Sequence, residues 1–99
     1  NFYSAMAYPG SSLYRQAVAN SWPLPATWSG YSQHAVDTLP LPTKHLPANE
    51  VLKFRDLAFQ RYFTHQPYLD YVERRFGSDT VAHIREMSAH KLERKFAAV

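Results

Sequence analysis

The chain has 99 residues, enough for one small domain and too few for two. Its 45% hydrophobic and 15% aromatic content belongs to a chain that builds a core and excludes wholesale disorder. A formal charge of +3, from eleven Lys and Arg against eight Asp and Glu, does not demand a polyanionic partner, and the lack of cysteine excludes disulfides, thiolate-held iron–sulfur clusters and thiol catalysis within these residues.

In chain order, Asn1 to Ala7 opens abruptly as an apolar, aromatic stretch without Met or leader, which leads us to expect a piece of a longer chain. Pro9-Gly10 marks a turn, after which Ser11 or Ser12 is placed to cap a short helix through about Asn20 carrying Leu13, Tyr14, Ala17 and Val18. All but one of the seven prolines lie between Tyr8 and Pro47, so Ser21 to Leu46 is expected as a long, extended, aromatic-rich loop. A loop of that length inside a compact domain signals function or a surface meant to lie on something else.

From Pro47 the grammar turns helical. A first long helix to about Phe63 puts Val51, Leu52, Phe54, Ala58, Phe59, Tyr62 and Phe63 within one half of its surface. A second, about Pro67 to Phe76, ends at Gly77, with Tyr68, Leu69, Tyr71, Val72 and Phe76 expected inside. A third begins with Ser78 or Asp79 as its cap and is expected to reach about Phe96, with Val81, Ile84, Ala89, Leu92 and Phe96 on one side and Lys91, Arg94 and Lys95 facing the negative end of the helix dipole. The expected fold is mainly α, a small three- to four-helix unit (residues 47–99) behind a long proline- and aromatic-rich N-terminal segment (residues 1–46).

Several residues invite chemistry. Arg55 points into the apolar face of the first long helix, where its charge needs a partner; Arg75 and Arg85 stand similarly, and Asp56, Asp70 and Asp79 are candidate counter-charges. The structural alternative is that each guanidinium lies over aromatics or ties down carbonyls of the proline-rich segment. His83, Glu86 and His90 share a helix face, but seven residues of helix separate the two histidines by roughly 10 Å, too far to hold one metal, so a solvated face is expected and no metal site. Trp22, Trp28, Tyr31 and His34, set among Pro, Ser and Gly, are the candidates for a surface that meets a planar ligand or partner. No catalytic triad, phosphate-binding glycine loop or nucleophile elbow is present, so no catalytic residue is assigned.

Taken together, Asn1-Phe-Tyr-Ser-Ala-Met-Ala-Tyr-Pro-Gly-Ser11, Trp28-Ser-Gly-Tyr-Ser-Gln-His34, Leu39-Pro-Leu-Pro-Thr43 and Phe54-Arg-Asp-Leu-Ala-Phe-Gln-Arg-Tyr-Phe63 resemble one family. It is the C-terminal region of cobalamin-dependent radical SAM proteins of the anaerobic Mg-protoporphyrin IX monomethyl ester oxidative cyclase type. The likeness continues through Tyr68-Leu69, Phe76-Gly77, His83-Ile84 and Leu92-Glu-Arg-Lys95. It implies a parent enzyme, a radical SAM oxidoreductase, cyclase or methyltransferase, with a cobalamin domain, a [4Fe–4S] cluster and S-adenosylmethionine in a partial α/β barrel. Porphyrin or bacteriochlorophyll biosynthesis is the setting it points to. The cluster's cysteines are not among these residues, so the fragment alone is expected to be inert, with no cofactor of its own.

On that resemblance, Asn1 to about Tyr8 is expected to be the tail of the barrel, its last strand being the candidate element. The aromatic segment would cover a hydrophobic or tetrapyrrole-like substrate at the barrel mouth through Trp22, Trp28, Tyr31 and His34, with Arg55 holding the loop. The rival is a structural or protein-interaction module that never touches substrate. A nucleic-acid binder built on Arg74, Arg75, Arg85, Lys91, Arg94 and Lys95 is disfavoured, because Glu73, Glu86 and Glu93 interrupt the stripe. With no apolar run near the roughly 20 residues a bilayer demands, no membrane span is expected and the expected location is cytoplasmic.

Overall fold

A computed structural model describes residues 1–97, which form α1 (Ser12–Ala19), α2 (Ala48–Phe63), α3 (Gln66–Phe76) and α4 (Ser78–Ala89), with a single 3-10 turn at Trp28–Tyr31 and no strand. The fold is mainly helical, with a long irregular segment before α2. It is elongated: its radius of gyration is 16.3 Å and its extents are 51 × 27 × 25 Å, against about 13 Å expected for a compact domain of this length.

The helices begin and end where local chemistry permits. Ser11 caps α1, its hydroxyl accepting from the Tyr14 N–H, while its own N–H and O–H donate to the Tyr8 carbonyl across the turn that Gly10 makes at φ +93°. Pro47 sits just outside α2, and Glu50 in its first turn meets the positive end of the helix dipole. Pro67 lies in the first turn of α3, where its missing N–H costs no helix bond. Gly77, at φ +93°, is a one-residue corner joining α3 directly to α4, so Gly77 and not Ser78 or Asp79 occupies the cap position of α4.

α2, α3 and α4 pack on one another. Leu69 and Val72 of α3 meet Val81 and Ile84 of α4, with Phe63 and Tyr68 closing the edge. A second, smaller cluster joins Ala7, Ala17 and Leu41, flanked by Leu13, Tyr14 and Leu24. It holds α1 against the start of the chain and the proline-rich segment.

Two expectations about the helices need correction. α4 stops at Ala89, and residues 90–97 turn back along the loop: the Lys95 N–H donates to the Val36 carbonyl at 2.8 Å. Continuing the helix would forfeit the burial of Arg94 described below, and that non-local gain outweighs helix propensity. The buried faces are also narrower than expected: Phe54, Tyr62, Tyr71, Phe76 and Ala89 are exposed, while Leu52 and Arg55, both expected on the inward face, are the buried residues of α2. α2 is covered from two sides, by α3 and α4 and by the N-terminal segment, so no single half-cylinder is its inside. Asn1 to Tyr8 carries no strand, although the Leu41 N–H donates to the Ala5 carbonyl at 3.1 Å.

Candidate functional site

The loop after α1 is rigid for reasons written in its polar residues. Asp37 accepts from Ser29 Oγ at 2.7 Å and Thr27 Oγ1 at 3.1 Å, which ties the start of the 3-10 turn to one carboxylate. Gly30 is buried at the turn's centre, where a Cβ would lie 2.4 Å from the Pro25 Cβ, so only glycine allows the two backbones to approach. The bonds from Ser29, then Thr27, hold the Asp37 carboxyl below its ordinary value, against a partial desolvation that pushes it up. Desolvation, with Tyr14 adding to it, raises the Tyr31 phenol, so Tyr31 stays neutral.

This scaffold presents Trp28, which is 77% exposed. Its ring centroid stands 6.2 Å from that of Tyr31, which stands 6.0 Å from Tyr8, forming a tilted row of three rings. Pro9, Pro25, Ala26 and Thr27 join Trp28 and Tyr31 around a shallow hollow of about 190 Å3. The four aromatic-segment candidates therefore do not converge: Trp28 and Tyr31 share this face, His34 lines a different cleft, and Trp22 lines neither. Tyr8 completes the row; it lies in the N-terminal stretch that the sequence assigns to a barrel tail, and only the turn at Pro9-Gly10 hints that it comes back to Tyr31.

Beneath the loop lies a polar knot. Arg55, 6% exposed, donates from Nε to the Phe2 carbonyl at 2.8 Å, from Nη1 to Asp56 Oδ1 at 3.0 Å and from Nη2 to His34 Nε2 at 3.1 Å, and it stands over the Phe59 ring. Because the guanidinium can only donate, the His34 proton sits on Nδ1. Arg94 grips the same carboxylate with both arms, Nε to Oδ2 at 3.0 Å and Nη2 to Oδ1 at 2.9 Å. It also donates to the carbonyls of Gln33 and Ala35 and to the Thr38 hydroxyl. Gln33 in turn exchanges hydrogen bonds with both backbone groups of Ser4. Arg94 is the residue that sequence reasoning missed: in a basic tail it looks like a helix-end charge.

Of the other charged candidates, Arg75 and Arg85 are exposed, and Asp70 accepts from Gln66 rather than from an arginine. His83, Glu86 and His90 are exposed on the surface. Among the described residues no three His, Cys, Asp or Glu side chains converge as metal ligands. The chain also has no cysteine, so its donor set does not fit an iron–sulfur cluster. No helix among the described residues is long and apolar enough to cross a membrane. In comparison with known proteins, no family model, no curated protein and no solved structure matches the chain.

Proposed function

We propose that the chain is a non-catalytic helical cap, the C-terminal accessory domain of a larger cytoplasmic enzyme of the cobalamin-dependent radical SAM kind that its sequence resembles, covering the substrate end of that enzyme's barrel. The observation that supports this reading is the Trp28–Tyr31–Tyr8 face: exposed Trp28 and Tyr8 flank a half-buried Tyr31, on a loop that hydrogen bonds and a buried glycine pin in place. A small domain gains nothing by keeping Trp28 rigid and exposed, whereas a surface that meets a planar apolar body binds better for being ordered in advance. The cluster, S-adenosylmethionine and cobalamin belong to the parent in this reading, and the present residues contribute shape and apolar contact alone.

The rival, an interaction module without substrate contact, draws on Phe54 and Leu57, exposed one helical turn apart on α2. A titration with a Mg-protoporphyrin ester separates the two. In a Trp22→Phe variant the remaining indole reports on Trp28 alone. Saturable quenching of Trp28, with amide shifts at Tyr8, Trp28 and Tyr31, is the expected result. Folded helices with no response at those positions would sink the substrate-covering role and leave the interaction module.

A further inference from the structure

On the other side of the loop, between Asn1, α2 and the segment that returns after α4, lies a second and larger cleft of about 410 Å3. Phe59, Met87 and Leu92 are among its apolar lining residues, and Arg55, Lys91 and His90 among its basic ones, with the Asp56 carboxylate that Arg55 and Arg94 hold also on its wall. It shares no lining residue with the Trp28 hollow. Its volume falls within the roughly 300–1,000 Å3 range of small-molecule sites.

The charge arrangement around it is unbalanced. The guanidiniums of Arg55 and Arg94, 6% and 3% exposed, share one carboxylate, Asp56, and no other carboxylate among the described residues forms an ion pair with either. Among the described residues the three groups therefore carry one positive charge more than their carboxylate balances, an arrangement that an added anion would relieve. The two arginines differ in how their donors are used. Arg94 sits among five acceptor contacts, enough for all five of its N–H groups. Arg55 places one N–H on Phe2, one on Asp56 and one on His34, which leaves two of its five N–H groups, one on each terminal nitrogen, without an acceptor among the described residues. Arg55 is also the one of the pair that lines the cleft. Beside it Lys91 holds Gln60 Oε1 at 2.7 Å and keeps further donors for a second acceptor.

We infer that this cleft binds a small amphipathic carboxylate, an alkyl or aryl monocarboxylate. Its two oxygens take the remaining N–H groups of Arg55 and the charge of Lys91, and its apolar body lies on Phe59, Met87 and Leu92. Two donors on one guanidinium suit the two oxygens of a carboxylate, and the single excess charge of the arginine pair suits a single negative one. The apolar wall selects against small hydrophilic anions. His34, whose Nε2 already accepts from Arg55, positions the guanidinium and does not itself hold the ligand.

The test uses the full chain and decanoate below its micelle-forming concentration, followed by backbone amide shifts, with methyl decanoate and acetate as the uncharged and the bodiless controls. Saturable shifts at Phe59, Met87 and Leu92 are expected with decanoate. The ester and acetate should each bind at least about tenfold more weakly, which corresponds to about 1.4 kcal/mol. Arg55→Gln removes a buried anchor and risks unfolding, so two rim variants carry the argument. Met87→Trp fills the cleft from its exposed edge and should abolish the shifts, and Lys91→Gln should weaken binding severalfold with the fold intact. Equal binding of decanoate and its ester, shifts confined to the Trp28 face, or no shifts while the helices are folded would each overturn the assignment. The outcome is independent of the porphyrin titration, because the two sites are read at different amides.

Discussion

The two ends of this molecule are held together by different physics. Around α3 and α4 the contacts are apolar: Leu69, Val72, Val81 and Ile84 form a continuous cluster at a helical corner. Around the loop of residues 21–46 the apolar cluster is small, and the chain is fixed largely by hydrogen bonds of buried polar side chains, some local and some to partners far away in sequence. Thr38, fully buried, turns its hydroxyl to the carbonyls of Ser32 and Ala35, and Arg94 gathers Gln33, Ala35, Thr38 and Asp56 around one guanidinium. Apolar burial is non-directional and tolerates adjustment, whereas a buried polar knot holds one geometry and fails as a unit.

The sharpest way to break the comparison is to remove Arg94. Arg94→Ala leaves the Gln33 and Ala35 carbonyls without the donor they have here and Asp56 with Arg55 as its remaining partner, at a cost of roughly 1–3 kcal/mol for each part-buried acceptor left unpaired. Hydrogen exchange should accelerate across residues 30–38 and 90–97, while α3 and α4 keep their protection. If α3 and α4 open first, the knot is not what fixes the loop.

The converse change is Leu69→Ala, at a side chain 1% exposed. We expect a loss of about 2–3 kcal/mol, the low end for such a truncation because a cluster this small and near the surface collapses around the gap. Far-ultraviolet circular dichroism should show the helices melting earlier. The indole of Trp28 should report a later transition, or the same one if the two regions unfold cooperatively, and separate transitions would establish that the loop stands on its own polar contacts.

How much of this was legible in the sequence follows the same divide. The limits of α1, α2 and α3, with Gly77 ending α3, were readable, because caps, prolines and 3.6-residue periodicity are local signals. Asp56 was readable as a counter-charge for Arg55, being next to it in sequence. The burial of Arg94 was not: its partners lie 38 to 61 positions earlier, and nothing in Leu92-Glu-Arg-Lys95 distinguishes it from its basic neighbours. The exposure of Phe54 and Phe76 was hidden for a related reason. Periodicity locates a stripe, but which part of it is covered depends on where the rest of the chain lies, and here the loop claims the side of α2 that carries Arg55.

The mildest expected effect comes from acid, and it reaches one region only. The Asp37 carboxyl is held below its ordinary value of 3.8, chiefly by the bond from Ser29. A carboxyl whose folded value is depressed contributes stability that is complete above its unfolded value and is lost as pH falls through the folded one. The Trp28 amide and indole should therefore be unchanged from neutral pH down to about 4 and shift below it, as protonation of Asp37 weakens its bonds to Ser29 and Thr27 and frees the 3-10 turn. The methyl groups of Val72 and Ile84 should not follow the same curve. In Asp37→Asn the low-pH shift of Trp28 should disappear, and Trp28 should already be more mobile at neutral pH, since an amide oxygen accepts these bonds less strongly than a carboxylate. A Trp28 transition centred at or above 3.8 in the unaltered chain would mean that the hydroxyls do not grip the carboxylate. The stiffness of the aromatic face, on which the proposed covering role rests, would then need another origin.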